Sequence, residues 1–134
     1  MFFKSSSIKL EKDFQRPWGG FIKFIDNKPC TVKILQIKKG ESLSLQFHKL
    51  RREFWYLISG KIKVIIGKNL KSLKSIILNE DEYVSVPKKS LHKITALKFS
   101  KILEISTGKF AENDEIRYED KYKRGSPRQA GMAK

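Results

Sequence analysis

Ser44-Leu45-Gln46-Phe47-His48-Lys49-Leu50-Arg51-Arg52-Glu53-Phe54-Trp55-Tyr56-Leu57-Ile58-Ser59-Gly60 is the stretch from which the fold is read. It divides into two short extended segments around the basic turn at residues 49–52. In the first, Gln46 and His48 are two apart and share a face with Ser44, while Leu43, Leu45 and Phe47 line the other. In the second, Glu53, Trp55 and Leu57 share one face, and Phe54, Tyr56 and Ile58 the other. Apolar residues on both faces predict strands covered on both sides. One cover is the barrel interior; the other is a second sheet or a partner subunit, and a homodimer is the expected assembly. Gln and His on one strand face, answered by Glu53 across a short turn, form the donor set a divalent cation needs. The second histidine of the chain, His92, follows Pro87 by five positions and is read into the same site.

Outward from this stretch the pattern repeats. Short apolar or alternating segments fall at residues 21–25, 31–38, 61–66, 75–78, 83–86, 91–97 and 101–106. Gly, Asn, Asp and Pro separate them, as in Arg16-Pro17-Trp18-Gly19-Gly20 and Asp26-Asn27-Lys28-Pro29. Such spacing predicts an all-β barrel or sandwich. Helical periodicity is found only over residues 112–122, where Asn113-Asp114-Glu115 reads as the start of a helical turn. The expected organisation is an N-terminal arm over 1–13, one domain over 14–124, and a flexible tail over 125–134, which is polar and contains Gly, Ser and Pro.

A chain of 134 residues is long enough for one core without staples, and its single cysteine, Cys30, excludes both an internal disulfide and a cysteine-based zinc motif. No apolar run approaches the roughly 20 residues of a membrane span, and no secretory leader is legible, so a soluble, cytoplasmic protein without membrane partners is expected. The net charge of +15 raises the question of nucleic acid. Its lysines are spread along the whole chain, with no arginine-rich or aromatic-interleaved block, which argues against that partner. The field suits small anions, sugar phosphates among them.

The pattern Q-x-H-x4-E, followed about 40 residues later by P-x4-H, resembles the two motifs of the cupin barrel. The likeness extends to Arg16-Pro17-Trp18-Gly19, to residues 39–48, to Arg51-Arg52-Glu53-Phe54-Trp55, to Val86-Pro87 with His92, and to residues 113–122. In that order and spacing the segments resemble the type II mannose-6-phosphate isomerase domain, in register from about residue 14 to 124. In many members this domain follows a mannose-1-phosphate guanylyltransferase domain; the expectation here is the isomerase-type domain standing alone.

The resemblance implies a cupin jelly-roll and a metal held by Gln46, His48, Glu53 and His92. Zinc is the expected ion, with manganese, cobalt or nickel as alternatives, since imidazole, carboxylate and amide donors suit divalent first-row metals. It implies interconversion of mannose 6-phosphate and fructose 6-phosphate by proton transfer between C1 and C2. Glu104 and Arg51 are the candidate catalytic residues, Glu104 only if its strand parity turns it inward; the alternative is an exposed strand carboxylate. Arg16, Arg51, Arg117 and Arg124 are the candidate phosphate ligands, because arginine binds phosphate oxygens in bidentate fashion. Trp18 and Trp55 read as packing. The chain departs from the family pattern at Lys49-Leu50 and Phe54, where histidines are usual, at Lys89, usually glycine, and at Ala96, usually asparagine. Two other classes stay open: a non-catalytic cupin that binds a sugar or sugar nucleotide, and a metal cupin with different chemistry.

Overall fold

The computed structural model describes residues 8–109 and the strand Glu115–Glu119. Eleven strands are present among them: β1 (Glu11–Arg16), β2 (Gly19–Lys23), β3 (Thr31–Ile37), β4 (Leu45–His48), β5 (Arg51–Ser59), β6 (Ile62–Gly67), β7 (Lys74–Leu78), β8 (Tyr83–Val86), β9 (Leu91–Ala96), β10 (Ser100–Gly108) and β11 (Glu115–Glu119). β1 and β2 form a two-stranded ribbon. The remainder make a four-stranded sheet in the order β3-β10-β5-β8 and a five-stranded sheet in the order β11-β4-β9-β6-β7, with every pairing antiparallel. This is the cupin jelly-roll.

Alternation places the core between the two sheets. Trp55, Leu57, Val84, Val86 and Ile102 from the first sheet meet Ile62, Val64, Ile66, Leu78, Ile94 and Ala96 from the second. Burying each such aliphatic side chain is worth about 1.5–3 kcal/mol, much of it offset by lost chain entropy. Gly60 makes the turn from β5 to β6 with φ +102°, and a Cβ there would overlap the Ser100 side chain and the Phe99 carbonyl.

The outer face of β5 is covered by the chain itself. Phe54, Tyr56 and Ile105 pack under Ile8, Leu10, Ile22, Phe24 and Ile25. Phe24 meets Tyr56 edge-on at 5.0 Å and Phe54 at 6.2 Å, a favoured aromatic geometry. The N-terminal segment thus supplies the cover for which a second sheet or a partner subunit was expected.

The C-terminal reading needs correction. Residues 115–119 form β11, antiparallel to β4 with Glu115 opposite His48 and Arg117 opposite Gln46, and not a helical turn. Glu-Ile-Arg-Tyr-Glu alternates with period two, and the unpaired edge of β4 offers a ladder that outweighs a weak local helical preference. Residues 120–134, and with them Arg124 and the tail expected over 125–134, lie outside the described residues, as do residues 1–7 of the expected arm.

Candidate metal centre

The two sheets meet at one end of the barrel in a buried polar cluster. β4 contributes His48, β9 contributes His92, and β5 contributes Glu53 from the facing sheet; all three are almost inaccessible to water. Glu53 lies 3.3 Å from His48 Nε2 through Oε2 and 3.7 Å from His92 Nε2 through Oε1. One donor atom from each residue falls within 4.8 Å of the others. Donors about 2.0–2.1 Å from a tetrahedral zinc stand roughly 3.3 Å apart, so the cluster is close to coordination geometry. His92 Nδ1 lies 2.9 Å from the Ser90 carbonyl. A carbonyl only accepts, so Nδ1 carries the hydrogen, and Nε2, which faces Glu53, is the nitrogen that would bind a metal. Donor types, spacing and the orientation of the His92 ring fit a divalent cation.

Local chemistry explains how the sequence builds this. Glu53 and His48 flank the tight connection at residues 49–50, so the strands on either side of it belong to different sheets yet converge at one end. The loop after β8 is fastened to the same point, with the Lys89 amide donating to the His48 carbonyl at 2.7 Å. Lys89 adopts φ 60° there, a left-handed conformation natural to glycine. The glycine usual at this position in the resembled family therefore has a backbone reason.

Gln46 stands in register with His92, and its amide donates to Ser44 Oγ at 3.0 Å. It shares the strand face of His48, but its amide group is turned along β4, so three of the four expected ligands are gathered and the fourth is adjacent. Arg51 reaches into the cluster, 3.4 Å from Glu53 Oε2 through Nε and 3.3 Å from His48 Nε2 through a terminal nitrogen. Arg16 lies on the β1–β2 ribbon, paired with Asp13 at 3.0 Å and placed over the Phe21 ring. Trp18, expected to pack, is 71% exposed on the same ribbon.

Glu104 faces inward. It is in register with Trp55 on β5 and Lys33 on β3, and the Trp55 indole N–H donates to its Oε2 at 3.1 Å. Burial, then the negative charge of Glu53, push its pKa up to about 7 against the opposing effects of the Trp55 bond and Lys33. Trp55 is also edge-on to the His92 ring at 5.4 Å, so one side chain touches both the carboxylate and a histidine of the candidate metal centre. Nothing in the sequence alone connects Trp55 or Lys33 with Glu104. The alternation of Lys33 with Leu35 and Ile37 is a signal for Lys33, but only strand pairing brings it beside Glu104.

Comparison with known proteins agrees with this architecture. A family model described as mannose-6-phosphate isomerase C-terminal matches residues 4–120. The chain belongs to that family. Among curated relatives, mannose-1-phosphate guanylyltransferase ManC of Salmonella typhimurium is 30% identical over 122 residues, which are 86% of this chain and 24% of ManC. The alginate biosynthesis protein AlgA of Pseudomonas putida is 33% identical over 114 residues, 83% of this chain and 22% of AlgA. The chain thus spans about a quarter of the length of the curated relatives it matches.

Among solved structures, a 3,4-ketoisomerase from Helicobacter canadensis has a TM-score of 0.66 at 18% identity, covering 81% of this chain and 86% of its own. The RmlC epimerase of Mycobacterium tuberculosis has a TM-score of 0.60 at 15% identity, covering 83% and 66%. At these identities the likeness bears on the fold. Family and fold together place the chain among sugar-related cupins. Among the described residues, no helix is long and apolar enough to cross a membrane.

Proposed function

We propose that this domain is a metal-dependent sugar-phosphate isomerase that interconverts mannose 6-phosphate and fructose 6-phosphate. The observation that carries the reading is the convergence of His48, Glu53 and His92 with the buried, inward-facing carboxyl of Glu104 at one end of the barrel. A cation held by His48, Glu53 and His92, with Gln46 adjacent, would supply Lewis-acid polarisation of the substrate's C1 and C2 oxygens.

The chain's own residues supply the rest. Glu104, as carboxylate, removes the C2 proton of the open-chain aldose as the C2 hydroxyl proton passes to the C1 oxygen, giving an enediolate. The carboxylic acid then returns the first proton to C1, and the ketose results. Burial holds the Glu104 pKa above the ordinary carboxylate range, which lets one group accept and then return the proton. Trp55 fixes the carboxylate by its N–H bond, and Arg51 supplies positive charge beside Glu53. Phe54, where the family usually has histidine, faces away from the cluster into the outer aromatic packing, so that departure leaves the donor set untouched.

A coupled assay with mannose 6-phosphate tests the proposal. Metal-loaded protein should turn over, and Glu104→Gln should lower kcat by about 10²–10⁴-fold with its metal retained. Absence of turnover, or equal turnover by Glu104→Gln, contradicts it.

A further inference from the structure

Beside the metal centre the barrel opens into a small pocket of about 190 Å³ lined by Pro29, Cys30, Thr31, Arg51, Ser106 and Gly108. Clefts that take whole drug-sized ligands measure roughly 300–1,000 Å³; this one suits a single group. Strand register explains its lining. Ser106 on β10 stands opposite Glu53 on one side and Thr31 on the other, so Thr31, Ser106 and Glu53 lie in one row across the inner face of the sheet. The next row reads Lys33, Glu104, Trp55. β3 is the edge of its sheet, and its inward Thr31 and Lys33 remain exposed.

We propose that the phosphoryl group of the substrate binds in this pocket, held by Arg51, Thr31 and Ser106 and flanked by Lys33. The inference rests on the isomerase reading for the identity of the substrate, but the pocket's anion chemistry stands on its own. Arg51 is buried except for 11% of its side chain and lies between the Glu53 carboxylate and the pocket. A planar guanidinium there separates two negative groups that would otherwise repel, and it matches phosphate oxygens.

The hydroxyls of Thr31 and Ser106 add neutral donors, and Lys33 adds a second cation that already acts on Glu104. Length agrees as well. Two strand spacings, about 9–10 Å, separate the Glu53 and Thr31 positions, comparable with an extended hexose phosphate from its C1–C2 bond to its phosphorus. The aldehyde end would thus face the cluster while the phosphate stays at the mouth. This places phosphate recognition on β3 and β10, elements from which no phosphate ligand was expected, and not on the β1–β2 ribbon that carries Arg16.

Cys30, exposed in this pocket and the single cysteine of the chain, is a built-in reporter. The experiment follows its alkylation by iodoacetamide in the full metal-loaded protein while inorganic phosphate, mannose 6-phosphate or mannose is titrated in. Phosphate and mannose 6-phosphate should slow the reaction, and mannose at the same concentrations should not. The Thr31→Val/Ser106→Ala double variant, and separately Lys33→Met on its exposed edge position, should need about tenfold more phosphate for half protection. Both should raise KM for mannose 6-phosphate more than they lower kcat. Lys12→Met, which removes one surface charge from the ribbon, should protect like wild type.

Protection without turnover would retain the anion subsite and reject the isomerase reading. Turnover with no phosphate protection, or protection unchanged in both variants, would overturn the subsite.

Discussion

The two ends of the barrel are built from the same strands and differ in almost everything else. At one end, Leu57 and Ile102 pair across β5 and β10 while Ile62 and Ala96 pair across β6 and β9, all with no exposed surface. Two to four residues along the same strands the inward positions become Trp55 with Glu104, then Glu53 with Ser106, and on β9 Ile94 gives way to His92. Burying imidazoles and carboxylates is costly unless they are paired or hold a cation. The apolar end therefore stabilises the fold, and the polar end draws on that stability to hold groups that would not stay buried on their own account.

One pair of substitutions on β9 separates the two ends most clearly. Ile94→Ala should cost about 2–5 kcal/mol in urea unfolding, by loss of transfer energy and creation of a cavity. It should keep the gain from bound metal, about 2.7 kcal/mol at a free concentration 100 times Kd. His92→Ala, two residues away on the same face, should lose that gain entirely. If His92→Ala still gains stability from metal, the division between the ends fails.

A smaller effect is expected at the boundary, where Trp55 belongs to both regions. Trp55→Phe keeps an aromatic ring but removes the N–H bond to Glu104, worth about 0.5–1.5 kcal/mol with the carboxyl protonated and up to about 3 kcal/mol with it ionised. Bound metal should be unchanged while turnover falls. Unchanged turnover would make Trp55 a core residue only.

The smallest effect lies on the outer face. The Tyr56 hydroxyl donates to Asp81 at 2.7 Å, and burial together with that carboxylate raises its pKa to about 12. The folded state holds this proton more tightly than the unfolded chain. Its contribution is therefore full below about pH 10 and lost as pH rises through about 12. Alkaline unfolding followed in wild type and Tyr56→Phe should show this component only in wild type; identical profiles would remove Tyr56 from the account.

Much of this was legible before any coordinates. Alternation alone puts Glu53, Trp55 and Leu57 on one face and Phe54 and Tyr56 on the other, and Q-x-H-x4-E with P-x4-H points to His48, Glu53 and His92, which the fold gathers, and to Gln46, whose amide turns to Ser44. What alternation lacks is pairing. That Ser106 stands between Glu53 and Thr31, or that Lys33 stands beside Glu104, follows from register across β3, β10 and β5, which no single strand encodes. β11 differs from its sequence expectation for a related reason: its acidic start favours a helical turn, and only the free edge of β4 selects a strand. The cover on β5 is not legible because residues 8–15 carry little periodicity and nothing in the alternation of residues 21–25 says which face they pack against, although their Ile, Leu and Phe side chains suffice to bury that face.

The central claim is that the polar end is a metal centre, and metal retention tests it most directly. Metal-free protein loaded with Zn²⁺, Mn²⁺ or Co²⁺ and then dialysed should retain a single equivalent, with Glu53→Gln and His48→Ala retaining little although they remain folded. No retained metal in wild type, or equal retention by those variants, would contradict the account.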